Sequence, residues 1–156
     1  MRRMPEILIV DDNPADLVLV RESLAETIHQ SRVHSVPDAT TALAFLRREG
    51  KYSMTVRPDL VILDLNMPQL DGHRVLTTIR ANSGLRQIPV VIFSSSGSNN
   101  DIARSYSLGA NCYVSKPGDL KRFFSAVRAI EEFFFGYARL PQEENDERSS
   151  DARSAD

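Results

Sequence analysis

VILDLNMPQLDG, running from Val61 to Gly72, decides how the chain is read. Leu60 and three further large aliphatic residues lead into an acid at Asp64. Turn signals follow at Pro68 and at Asp71-Gly72. A short, continuously apolar run bounded by turn signals reads as a strand covered on both faces. Such a strand ends most cheaply in a neutral residue, because an ionised carboxylate beside a dry core is costly unless it is paired. The acid at position 64 therefore needs a reason.

Outward from this strand, β-rich runs alternate with amphipathic helices. Ile7–Val10 reads as the first strand. A helix follows it, capped by Asn13, with Pro14 in its first turn and Asp16 favouring its dipole. Leu17, Val20, Leu24 and Ile28 form its inward stripe. Arg32–Val36 is a weak second strand. Asp38 caps a second helix that presents Ala39, Leu43 and Leu46 inward and is closed by Gly50. Lys51–Pro58 is a polar connection. Beyond Leu60–Leu63, the pattern predicts a helix over Gly72–Ala81, a strand over Pro89–Phe93 and a helix over Asp101–Leu108. A strand over Cys112–Ser115 and a long helix over Leu120–Arg139 complete the series. Five strands alternating with five helices imply an α/β fold, a parallel sheet with helices on both faces. Right-handed crossovers favour the flavodoxin-like order 2-1-3-4-5, with the site beyond the carboxyl ends of the strands.

The bulk composition agrees with one such domain. The chain has 156 residues, 42% of them apolar and 26% charged. No apolar run reaches the roughly 20 residues of a membrane helix. The apolar stretch after Arg2-Arg3 stops at Asp11-Asp12, too soon for a signal peptide, and a cytoplasmic protein is expected. Cys112, the single cysteine, reads as a small buried hydrophobe in a reducing compartment. His29, His34 and His73 lack metal-ligand spacing and read as polar surface residues. Residues 141–156 form an expected disordered acidic tail after a domain spanning 1–140. Residues 142–156 hold six acids and two arginines, net −4, so the remainder carries −2 − (−4) = +2. That balance does not describe a nucleic-acid surface.

The strand ends carry the chemistry. The first ends in Asp11-Asp12, the third in Asp64, the fourth in Ser94-Ser95 and the fifth in Lys116-Pro117. In the order 2-1-3-4-5 these groups converge. Three carboxylates in one crevice repel each other, and a hard divalent cation such as Mg²⁺ removes that conflict. Metal, ammonium and hydroxyl together are the parts that stabilise a transferring phosphoryl group. Neither GxxxxGK[ST] nor a GxGxxG after the first strand is present to cradle a nucleotide. The expected nucleophile is a carboxylate receiving phosphate from another donor.

ILIVDDNPADL, VILDLNMPQLDG, VVIFSSS and CYVSKP, taken together and in order, resemble the four blocks of the response-regulator receiver domain of two-component signalling. The resemblance covers about residues 6–139. It implies that Asp64 accepts a phosphoryl group from the phosphohistidine of a sensor histidine kinase. It implies that Asp12 binds Mg²⁺ directly, that Asp11 assists through water, and that the Asn66 backbone carbonyl adds a ligand. Lys116 would pair with the phosphoryl oxygens, through a Lys116–Pro117 bond that is typically cis in the family. Ser94 would reorient its hydroxyl, and Tyr113 would swing inward as the aromatic switch. Asn66 and Ser96 fall where the family tunes hydrolysis of the acyl phosphate.

Two other readings compete with this one. A haloacid-dehalogenase-type hydrolase also forms an aspartyl phosphate, but it needs an acid two residues after the nucleophile, and Asn66 stands there. A docking module that is never phosphorylated would not need the full set of acids, hydroxyl and lysine. On the last helix, Phe123, Val127, Ile130 and Phe134 read as the inward stripe. Phe124, Phe133, Phe135 and Leu140 are left over and read as a homodimer interface, with covering of the sheet edge as the plainer alternative. This helix, NCYVSK and NPAD are similar to the small single-domain regulators that partner cyanobacterial phytochromes and bacteriophytochromes, so a phytochrome-type photoreceptor is the expected kinase. With no effector domain after residue 141, the expected output is protein–protein contact or phosphate relay, not DNA binding or membrane attachment.

Overall fold

The computed structural model describes residues 3–67 and 72–142. Its elements are β1 (Glu6–Val10), α1 (Pro14–Ala25), β2 (Arg32–Val36), α2 (Ala39–Arg47), a 3-10 turn (Gly50–Tyr52) and β3 (Leu60–Leu63). They continue with α3 (Gly72–Ala81), β4 (Val90–Ser94), α4 (Asn99–Ser107), β5 (Cys112–Ser115) and α5 (Leu120–Glu132), which runs into a π-helical turn (Phe133–Tyr137). The five strands form one sheet in the order β2-β1-β3-β4-β5, and every pair is parallel. This is the flavodoxin-like arrangement expected from the alternation of elements.

Side chains alternate between the two faces of each strand, so every inner strand feeds two cores. Leu8, Val10, Val61, Leu63, Val90 and Ile92 pack with residues of α2 and α3. Ile7, Ile9, Leu60, Ile62, Val91 and Phe93 pack with Val20 and Leu24 of α1 and with Phe123, Val127 and Ile130 of α5. The unbroken apolar runs of β1, β3 and β4 are explained by this double coverage. Each fully buried aliphatic side chain contributes about 1.5–3 kcal/mol, enough to hold the strand ends in fixed register.

Helix starts follow the expected capping chemistry at Asn13, whose side chain accepts from the Ala15 and Asp16 N–H groups, and at Asp38, which accepts from Thr41. Other details differ from the sequence reading. Helix α1 ends at Ala25, so Ile28 lies past its stripe and is 95% exposed. The left-handed cap of α2 is Arg48, not Gly50; Gly50 instead opens the short turn that lays Tyr52 against Phe45. Helix α4 starts two residues early, because Ser98 supplies its cap. The last helix changes pitch after Glu132, where the Ala138 N–H donates to Phe133 O across five residues. His73 is buried, with Nε2 2.8 Å from Ser105 Oγ, and His34 Nε2 lies 2.6 Å from Glu6 Oε2. Both histidines therefore join elements instead of decorating the surface. The Lys116–Pro117 peptide is trans. The trans form is favoured by about 0.5–1 kcal/mol before proline, and β5 delivers Lys116 to the sheet edge without a cis turn. The turn signals at Pro68 and Asp71 and the acidic tail from 143 onward lie outside the described residues.

Candidate functional site: an acid pocket with one lysine

The site is built where the strands run out: Asp11, Asp64 and Lys116 each follow directly on β1, β3 and β5, and Ser94 is the last residue of β4. The Asp11 N–H donates to Val36 O and the Asp64 N–H to Val10 O, so both acids leave the ladder in register. The Lys116 N–H donates to Ser94 O in the same way. Gly72 closes the floor. A Cβ at this position would collide with the backbone carbonyl of Asp64, so α3 can begin there only on glycine. That contact explains the Asp-Gly pair read from the sequence as a turn.

Lys116 Nζ lies at the centre. It donates to Asp11 Oδ2 at 2.6 Å, to Asp16 Oδ2 at 2.9 Å and to Asp64 Oδ2 at 3.3 Å, and sits 5.9 Å from the centre of the Phe93 ring. Asp11 and Asp64 are buried. Asp12 is more open and makes no hydrogen bond among the described residues. One carboxylate oxygen from each of Asp11, Asp12 and Asp64 lies within 4.8 Å of the others. Three carboxylates thus share a single ammonium, and a fourth, Asp12, lies beside two of them. Burial raises the Asp11 carboxyl above its ordinary value, partly opposed by the hydrogen bond from Lys116 and the Asn13 N–H. Burial also works to lower the Lys116 ammonium, but its bonds to Asp11 and Asp16 and the neighbouring negative charge outweigh this and hold it above its ordinary value. The lysine stays charged, and the pocket remains net negative. An all-oxygen, under-compensated donor set fits a hard divalent cation such as Mg²⁺.

Around this centre, Ser94 is fully buried; its Oγ accepts from the Ser96 N–H at 3.2 Å and from Asn66 Nδ2 at 3.4 Å. Asn66 is exposed at the mouth, with its N–H 3.4 Å from Asp64 Oδ1. The Tyr113 hydroxyl donates to Ser96 O at 2.7 Å, and its ring rests on the α2–α3 core. Ser96 Oγ donates to Asp101 on α4 at 2.6 Å. A hydrogen-bonded path therefore links the site's hydroxyl to β5 and α4.

The structure brings together Asp11, Asp12, Asp64, Asn66, Ser94 and Lys116, with Tyr113 one step out. The sequence reading missed Asp16 as a partner of Lys116, treating it as a dipole residue. Its signal was its place in the first turn of a helix that starts just after the end of β1. Phe124, Phe135 and Leu140 lie elsewhere, partly buried against the α1–α5 core, while Phe133 is 56% exposed.

The family model for the response regulator receiver domain matches residues 7–128. The chain belongs to that family. It is 40% identical over 135 residues to the response regulator Rcp1 of Synechocystis sp., an alignment spanning 86% of this chain and 92% of the relative. The crystal structure of the phosphorylated cyanobacterial phytochrome response regulator RcpA superposes with a TM-score of 0.87 at 43% identity, covering 90% of this chain and all of that one. The Mn²⁺-bound form of Rcp1 gives a TM-score of 0.84 at 39% identity, covering 88% of this chain and 99% of that one. The protein is thus a two-component response regulator with the receiver fold. No helix among the described residues is long and apolar enough to cross a membrane.

Proposed function

We propose that this chain is a phospho-accepting switch in which Asp64 takes a phosphoryl group from a sensor histidine kinase. The observation that carries the reading is the reach of one ammonium, Lys116 Nζ, to both buried acids Asp11 and Asp64 beside the Asp11–Asp12–Asp64 cluster. Asp11, Asp12, Asp64 and the backbone carbonyl of Asn66 would hold Mg²⁺. When bound, the ion shields the negative charge of the phosphoryl oxygens and of the attacking carboxylate. Asp64, anchored by the Val10 ladder bond, presents one oxygen to the phosphorus of a phosphohistidine. An O–P bond forms and the P–N bond breaks. With its far ring nitrogen carrying a proton, the histidine leaves as neutral imidazole. Lys116 is already within reach to pair with the new phosphoryl oxygens.

Ser94 donates to no acceptor among the described residues, so its hydroxyl is available to the acyl phosphate. Its rotation releases the Ser96 N–H, and Ser96 is what the Tyr113 hydroxyl and Asp101 hold. The α4–β5–α5 face then repacks, a population shift driven by one added charged group. The protein would act in the cytoplasm by contacting other proteins, as a signalling protein and not as a catalyst turning over a free substrate. The 1–140 segment forms the receiver domain, followed by the acidic tail 141–156. The names of the relatives support a phytochrome-type photoreceptor as the kinase.

Incubation with Mg²⁺ and acetyl phosphate, followed by intact mass measurement, tests the reading. The wild type should gain one phosphoryl group and Asp64→Asn none. A wild type that never gains that mass is a docking module, and rapid turnover of unrelated phosphate esters would indicate a hydrolase.

A homodimer through the C-terminal helix region is supported by Phe133 and Tyr137, 56% and 76% exposed on consecutive turns beside the partly buried Phe124 and Phe135. Light scattering should find Phe133→Asp at half the mass of the wild type. Equal masses would rule out that surface.

A further inference from the structure

At the opposite edge of the sheet a cleft of about 430 Å³ lies between the end of α2 and the loop that follows α3. Leu46 and Leu85 form its apolar floor, and Arg47, Arg48 and Arg57 bring three guanidinium groups to its walls. No acid lines it among the described residues. Arg57 Nε is buried and has no hydrogen-bond acceptor among the described residues. A buried donor without an acceptor costs about 1–3 kcal/mol, so this wall is incomplete as it stands.

The chain itself leads to the cleft. After α5 and its π-helical turn, Leu140 packs against the α1–α5 core. Gln142 lines both a neighbouring cleft formed by Phe134, Phe135 and Leu140 and the arginine cleft. The next residues in sequence are Glu143, Glu144, Asn145, Asp146 and Glu147, and the segment 143–156 carries six acids against two arginines. Four acids in five residues therefore begin one residue beyond a cleft wall.

We propose that the acidic segment 143–156 docks, through Glu143–Glu147, into the cleft of Arg47, Arg48 and Arg57 as an intramolecular strap. Charge is complementary, and carboxylates match the guanidinium fork in geometry. Because Gln142 already lies at the site, docking is intramolecular, at an effective concentration in the millimolar range. The strap ties the end of α5 to the end of α2 beneath the sheet, so the last helix is held at both of its ends. This proposal does not depend on phosphorylation at the other edge.

The test uses the ¹⁵N-labelled full chain. Backbone order parameters for 143–147 are measured in the wild type, in Arg47→Glu/Arg57→Glu, and in that variant carrying Glu143→Arg/Glu144→Arg. Docking predicts values near about 0.8 in the wild type, below about 0.6 in the first variant, and restored in the charge-swapped one. Raising salt to about 1 M, where the Debye length is about 3 Å, should loosen the wild type as well. If the double-Glu variant does not keep the wild-type melting temperature, Arg47→Gln/Arg57→Gln replaces it, with the same expected loss. Values below about 0.6 in the wild type at low salt, unchanged by any of these substitutions, overturn the proposal. So does a cleft that shifts the Arg57 Nε–H resonance with inorganic phosphate while 143–147 stay mobile, which would mark a site for an external anion.

Discussion

Buried acids stand at both edges of the sheet, and their surroundings differ. At the lower edge Glu6 meets His34 at 2.6 Å and Arg32 at 3.8 Å, while Asp59 accepts from Arg3 at 2.9 Å and from the Glu6 N–H at 2.8 Å. Each acid there has its own donors. At the upper edge Asp11, Asp16 and Asp64 share one lysine, and Asp12 has no partner among the described residues. The lower arrangement is closed and serves the fold. The upper one is left negative, which is unfavourable to the fold alone and fits a pocket that a dication would complete.

The largest expected effect comes from removing the shared cation. Lys116→Met should lower the rate of Asp64 phosphorylation on the order of 10²-fold or more, the usual loss for one donor aimed at a transferring charge, as read by the mass gain with acetyl phosphate. An unchanged rate would mean that the lysine only balances charge. At the lower edge the effect should fall on stability alone. His34→Ala leaves Glu6 with only the longer Arg32 contact and should cost about 1–3 kcal/mol in urea unfolding, with phosphorylation unchanged. The same variant slowing phosphorylation would break the division between the two edges.

The smallest effect concerns Glu131, the lower-edge exception. It is buried near the end of α5, and its Oε1 has no hydrogen-bond partner among the described residues. Burial raises its carboxyl above the ordinary 4.5, with His29 opposing and Glu132 adding to the rise. A carboxyl whose folded value is raised favours the folded state below the unfolded value and loses that contribution as pH climbs through the folded value. Glu131→Gln should therefore gain stability over the wild type above about pH 5 and show no gain near pH 4. A gain confined to acid would reverse the assignment.

Much of this was legible in the sequence because period and punctuation agree. The apolar runs of β1, β3 and β4 could only be doubly covered strands, and a parallel sheet then forces their terminal residues to one edge. Asp11, Asp64, Ser94 and Lys116 were readable for that reason. Asp16 was not, since a first-turn acid reads equally well as a response to the helix dipole. The early end of α1 at Ala25, where the Thr27 hydroxyl donates to Leu24 O, and the left-handed cap at the exposed Arg48 were hidden because no glycine or proline marks either turn. His34 and His73 were misread because their partners, Glu6 and Ser105, are 28 and 32 residues away.

The contrast between a closed edge and an open one is tested most directly by thermal unfolding with and without Mg²⁺, in the wild type and in Asp12→Asn/Asp64→Asn. Mg²⁺ at about 100 times its dissociation constant should stabilise the wild type by about 2.7 kcal/mol, raising its melting temperature, and should leave the double variant unmoved. A wild type indifferent to Mg²⁺, or a double variant that gains as much, would contradict the view that Asp11, Asp12 and Asp64 wait for a metal.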